Sequence, residues 1–194
     1  LVKIIWLNLL ILSSLLMGSL YIAWNYFLIT YQKNRILTLF NPESDPLGSG
    51  YHIIQSKIAI GSGGLTGKGL TNGSQSQLDF VPEQSTDFIF SVLAEEMGFL
   101  GFILLLTIYS LIIYRCFDLS LRCEDNFSRL LGSSLTFVFF TYVFVNIGMV
   151  SGLVPVVGVP LPLISYGGSS LITLMASFGI IMSIHKHKSP RYLQ

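Results

Sequence analysis

The chain has 194 residues, of which 52% are hydrophobic and only 11% charged. Soluble domains carry about a quarter charged residues, so this composition excludes an ordinary water-soluble domain. A formal net charge of +1 lacks the electrostatic footprint of a nucleic-acid binder, and two cysteines, Cys116 and Cys123, are too few for a disulfide scaffold.

No charge lies between Lys3 and Lys33. Residues 4–29 exceed the ~20 apolar residues that a membrane-spanning helix needs. Trp24, Tyr26 and Tyr31 mark an interfacial aromatic belt, where a signal peptide would place a small-residue cleavage site. Because the chain opens without a Met and almost directly on a span, residues 1–194 read as the C-terminal part of a larger membrane domain.

Residues 30–85 follow as a long loop. In His52 to Ile60, Ile53, Ile54 and Ile58 fall at helix-like spacing, which predicts a short amphipathic helix on the membrane surface. The run Gly61-Ser-Gly-Gly-Leu-Thr-Gly-Lys-Gly69 comes next. It is not a Walker A motif, because Gly69 follows Lys68 and no buried strand precedes it. One reading is a flexible turn; the other is a backbone cradle for a lipid pyrophosphate, helped by Lys57 or Lys68.

A second span is predicted at 86–115. Pro82 ends the loop, Ser85 or Thr86 can cap the helix, and Asp87 falls in its first turn. An acid there is commonly a helix-dipole partner worth ~0.3–1 kcal/mol. Its place at the outer mouth of a helix bundle, with Glu83 four residues earlier, equally suits a catalytic carboxylate. Glu95 and Glu96 lie deeper, where a charge at the bilayer centre costs ~2.5–3.5 kcal/mol. Either the helix projects above the membrane, or one of these acids faces a polar cavity. Separated by ~100° of helix, they meet different surroundings.

Spans at 128–150 and 166–185 complete the chain. Gly152, Pro155, Gly158, Pro160 and Pro162 break the apolar run between them. Irregular backbone at membrane depth is tolerated only inside protein or against a wet cavity. Asn146, Ser165, Tyr166, Gly167, Gly168 and Ser169 are therefore candidate cavity-wall residues, with close packing by small residues as the alternative. Arg115, Arg122 and Arg129, and then Lys186, Lys188 and Arg191, place the connection 115–129 and the tail in the cytoplasm, and the loop 30–85 outside. The cysteines then lie on the reducing side as unpaired thiols. The expected fold is all-α: a polytopic membrane helix bundle with four spans and a long extracytoplasmic loop.

Three stretches, NPESDPLGSGYHIIQSKIAIGSGGLTGKG, SQSQLDFVPEQSTDFIFSVLAEEMG and VNIGMVSGLVPVVGVPLPLISYGGSS, together carry a specific resemblance. From about Asn41 to Lys188 the chain resembles the SEDS family, on its elongation branch more than its division branch. That resemblance implies a peptidoglycan glycosyltransferase of the bacterial inner membrane. Such an enzyme polymerises lipid II on the outer face, for cell elongation and rod shape, beside a class B penicillin-binding protein that crosslinks the strands.

The family's essential acid, the Asp of its P-E-x-x-T-D-F motif, falls on Asp87, and the motif's Glu on Glu83. Gln84-Ser85 stands where relatives commonly carry Arg-His or Ala-His, which removes a His proton relay or metal contact. The resemblance also suggests Mg²⁺ or Mn²⁺, without a legible ligand set. The expected mechanism makes Asp87 the general base. Glu83, Thr86, Lys57, Glu96, Asn146, Ser165, Tyr166, Gly167, Gly168 and Ser169 are the candidate supporting or substrate-binding residues. Two rival readings are a lipid II flippase working through Glu95, Glu96 and the broken segment 151–165, and a non-catalytic scaffold that docks the penicillin-binding protein.

Overall fold

The structure, a computed structural model, describes residues 2–46, 48–73 and 86–186. Glu83, Ser85, Lys188 and Arg191 lie outside the described residues. The elements are α1 (Val2–Ile22) running into a π turn (Ala23–Phe27), α2 (Thr30–Phe40), a 3-10 turn (Pro42–Ser44), α3 (Ser49–Ser62), α4 (Ile89–Leu121), α5 (Asn126–Ser151) and α6 (Gly168–Lys186). Among the described residues, four helices are long and apolar enough to cross a membrane: Leu10–Phe27, Ile89–Leu121, Asn126–Ser151 and Gly168–His185. The protein is a polytopic helical membrane protein, as its charge-free runs implied.

Three details differ from the sequence reading. Residues 30–40 are helical, where a loop was expected. Their polar stretch TYQKNR hides the apolar period, but the Ile29 N–H donates to Gln32 Oε1 at 3.2 Å and closes the first turn. The helix of the second span does not stop near 115; α4 continues to Leu121. Asp118 secures this extension by pairing with Arg115 at 3.3 Å and Arg122 at 2.7 Å, and the Asp118 hydrogen bond and charge push the Arg122 guanidinium further above its ordinary range. A 33-residue helix is ~50 Å long, longer than the ~30 Å apolar slab, so α4 projects beyond it.

The third concerns α3, where the expected short helix is present but longer: Ile53 and Ala59 are buried against protein, Ile58 is exposed, and Ser56 Oγ donates to the Val150 carbonyl at 3.0 Å. The core lies where α3, α4 and α5 meet, built around Phe90, Tyr109, Phe139, Val143 and Met149. Asp125 caps α5 by accepting from the Ser128 N–H at 3.0 Å, and Gly152 ends that helix in the left-handed region at φ 73°. The described side chains of α1 from Leu10 to Ile22 are all exposed, so α1 adds a span without joining this core. Cys116 and Cys123 are buried free thiols.

Candidate active site

Asp87 sits two residues before α4, where that helix meets the irregular segment after α5. Three side chains from other elements, and one of the segment's own, satisfy backbone here. Asn146, wholly buried on α5, donates through Nδ2 to the Asp87 carbonyl at 2.8 Å and the Val159 carbonyl at 2.6 Å. Ser165 Oγ donates to the Thr86 carbonyl and accepts from the Leu161 N–H at 2.7 Å. The Tyr109 hydroxyl of α4 donates to the Pro162 carbonyl at 2.6 Å. Arg35 of α2, its guanidinium 4.4 Å over the Tyr31 ring, donates to the Val156 carbonyl at 2.5 Å. Backbone that cannot form helix is thus paired inside the protein, as burial at membrane depth demands.

The Asp87 side chain lies against Gly158. A Cβ at Gly158 would stand 3.2 Å from Asp87 Oδ2, and the φ of +77° there disfavours any side chain. Next to it, the Phe88 ring packs against His52 of α3 at 5.6 Å between centroids. At the other end of the same turn, the ammonium of Lys57 hangs over Gly152, close enough that a Cβ there would overlap it. A helix C-terminus carries partial negative charge, which suits a cation. Lys57 is exposed, and it makes no hydrogen bond or ion pair among the described residues. An acid and an uncommitted cation therefore flank one short stretch, 152–158.

The expected residues sort into groups. Thr86, Asp87, Asn146 and Ser165 are joined directly, and Lys57 lies on the same turn. Asn146 is completely buried and braces the Asp87 backbone. Tyr166 and Ser169 are exposed. Ser169 lines a separate cavity of about 310 Å³ with Pro160, Pro162 and Ser170, while the Gly167 carbonyl accepts from Ser170 Oγ at 2.9 Å. Gly168 begins α6.

The glycine-rich run is not a free cradle. Lys68 Nζ is bound to Glu95 Oε1 at 2.7 Å, and the Lys68 and Gly69 N–H groups donate to the Glu95 and Glu96 carbonyls at 3.1 and 3.0 Å. Glu96 Oε1 accepts from the Thr71 N–H at 3.0 Å, so it ties down the loop. As the ~100° step implied, Glu95 is fully buried and Glu96 is only half-buried. Arg35 and His52 were missed as site residues. The Tyr31–Arg35 spacing of one helical turn was the available signal, but it is visible only once 30–40 is known to be helical.

This arrangement defines a class: a polytopic membrane protein with an acid braced at the end of a spanning helix, beside a proline-broken turn. Residues 2–190 match the model of the FtsW/RodA/SpoVE family, described as cell cycle protein, and the chain belongs to that family. It is 60% identical to the peptidoglycan glycosyltransferase MrdB of Escherichia coli K12 over 167 residues, covering 86% of this chain and 45% of that protein. Against the peptidoglycan glycosyltransferase RodA of Treponema pallidum it is 46% identical, covering 80% of this chain and 36% of that one. Stage V sporulation protein E of Bacillus subtilis is 40% identical, with coverage of 81% and 43%.

Among solved structures, a peptidoglycan synthase complex described as coordinating polymerization and crosslinking matches with a TM-score of 0.72 and 35% identity, over 97% of this chain and 51% of that one. A crystal structure of an Asp-to-Ala mutant of Thermus thermophilus rod shape determining protein RodA matches with a TM-score of 0.53 and 39% identity, over 72% and 41%. The chain spans about half or less of the length of these relatives.

Proposed function

We propose that this chain forms part of a peptidoglycan glycosyltransferase that joins lipid II units into glycan strands for cell elongation. The observation that carries the reading is the placement of Asp87, held by Asn146 and Ser165 at its backbone and set against Gly158 at its carboxylate. The 60% identity to a protein named for this activity supports it. Asp87 takes the proton of the acceptor's GlcNAc 4-hydroxyl. The freed oxygen attacks C1 of the donor's MurNAc, and the C1–oxygen bond to undecaprenyl pyrophosphate breaks. A positioned base contributes about 10²–10⁴-fold to such a step. Lys57, uncommitted and beside the same turn, meets the negative charge that develops on the leaving pyrophosphate.

Our reading extends to the partner and the membrane. The polymerase works with a class B penicillin-binding protein in the bacterial inner membrane, with 30–85 on the periplasmic side and the C-terminus in the cytoplasm. The likeness to a synthase complex and the positions of Arg115, Arg122 and Arg129 support this arrangement. A divalent cation, Mg²⁺ or Mn²⁺, belongs to the family reading. Among the described residues no group of three or more His, Cys, Asp or Glu side chains converges to hold one. The flippase reading would need Glu95 or Glu96 along its path, yet Glu95 is paired with Lys68 and Glu96 with the Thr71 N–H.

Labelled lipid II supplied in detergent to the full-length protein and its transpeptidase partner separates these readings, because detergent leaves nothing to flip across. Glycan strands are the expected product. Unreacted lipid II from a well-folded complex would contradict the proposal.

A further inference from the structure

The glycine-rich loop does something its sequence does not announce: it is spliced into a membrane helix. Within α4, Gly98 leaves the helical region entirely, at φ 65° and ψ −161°. In an unbroken helix the N–H groups of Phe99 and Leu100 would point to the carbonyls of Glu95 and Glu96. Instead they donate to the carbonyls of Gly64 and Leu65, at 3.0 and 3.1 Å. The two carbonyls so released accept from the N–H groups of Lys68 and Gly69, at 3.1 and 3.0 Å. Two helical bonds are exchanged for four, and none of these polar groups is left open where water is scarce. The fit is tight, since a Cβ on Gly98 would overlap the Gly67 nitrogen.

An ion pair closes the splice. Glu95, fully buried, meets Lys68 Nζ at 2.7 Å and Ser62 Oγ at 3.4 Å through the same oxygen. The segment 89–97 of α4 is therefore tied to α3 and its following loop at both ends. At one end the Phe88 ring rests on His52 of α3; at the other, the splice binds 95–100 to 62–69. Asp87 sits at the first end and Gly98 at the second. Asp87, the segment 89–97 and α3, which carries Lys57, form one unit that joins the remainder of α4 through a glycine.

We propose that Lys68 and Glu95 are positioning residues: their ion pair locks the splice at Gly98 and so fixes the aim of Asp87 from the far end of segment 89–97. This rests on Asp87 being the base of the proposed reaction. Neither residue touches substrate. Loosening the splice frees the segment to rock about Gly98 and misplaces the carboxylate, while the rest of the binding surface stays in place.

The test uses the full-length protein with its transpeptidase partner, labelled lipid II as substrate, and hydrogen exchange as a readout independent of turnover. Glu95→Gln keeps the side chain's shape and removes the charge that Lys68, itself partly exposed, is paired with. It is expected to lower kcat by about tenfold to a hundredfold, the loss typical of a small misplacement, with KM within about twofold of wild type. Exchange should accelerate at the amides of Lys68, Gly69, Phe99 and Leu100. Lys68→Arg, which preserves the pair, should keep both readouts near wild type. The double variant Lys68→Met/Glu95→Met, which replaces the pair by apolar volume, folds without a stranded charge and should reproduce the kcat loss.

Wild-type kcat in Glu95→Gln and in the double variant would overturn the proposal, whatever the exchange pattern. So would a kcat loss with the four amides as slow as in wild type. Normal polymerisation by Asp87→Asn would instead remove the reaction reading, and with it the reason for aiming Asp87, while the exchange result on the splice would stand.

Discussion

Two stretches of this chain look alike on paper, the glycine-rich run 61–69 and the glycine- and proline-broken segment 152–165. Each interrupts helical backbone between apolar runs. They differ in what satisfies the backbone they release. The first is closed almost entirely by backbone bonds to α4 around Gly98, with the Lys68–Glu95 pair as its lock. The second is held by side chains that reach in from elsewhere, namely Asn146, Tyr109 and Arg35, and by its own Ser165, and it forms the wall against which Asp87 rests. Glycine spacing does not separate a structural splice from a site wall. The partners of the freed N–H and C=O groups do.

That contrast can be broken at either stretch. Lys68→Met in the first leaves Glu95 buried without its partner and should cost about 3 kcal/mol, the low end for a broken buried pair because Lys68 is partly exposed. The measurement is the thermal midpoint of the purified full-length protein. In the second stretch, Asn146→Leu keeps the volume but strands the carbonyls of Asp87 and Val159. A loss of about 2 kcal/mol is expected, together with a fall in polymerisation, because the brace and the base share one backbone. Gly158→Ala forces a side chain onto a positive φ and towards the Asp87 carboxylate. It should cost about 1–2 kcal/mol yet slow polymerisation by more than that loss explains, as steady-state rates on well-folded protein would show. The smallest effect should come from Arg122→Ala. It removes an exposed pair with Asp118 beyond the span and should leave both melting and polymerisation unchanged.

The spans were legible because a charge inside the bilayer is expensive: the charge-free runs 4–32, 97–114 and 130–185, the last broken by glycine and proline, marked the four apolar helices. α2 was not, because TYQKNR supplies no apolar stripe, and the side-chain bond at its first turn comes from Gln32, which sequence does not mark as a cap. At the site, Asp87 was legible from its motif and its place at a helix mouth. The roles around it were not. Asn146 reads equally as a substrate ligand or a brace until its burial is known, and the splice consists of backbone bonds between residues some thirty positions apart, which no side-chain pattern records. Lys68 shows the same limit from the other side. A basic residue in a glycine run suggests an anion site, and only the position of Glu95 shows that its charge is already matched.

The most direct test of the account is the rate at which the full-length protein, with its transpeptidase partner, polymerises lipid II with Asp87 intact and as Asp87→Asn. The account predicts glycan strands from the wild type and a loss of about 10²–10⁴-fold in the variant, with an unchanged melting midpoint. Near-normal strand synthesis by a well-folded Asp87→Asn protein would contradict it.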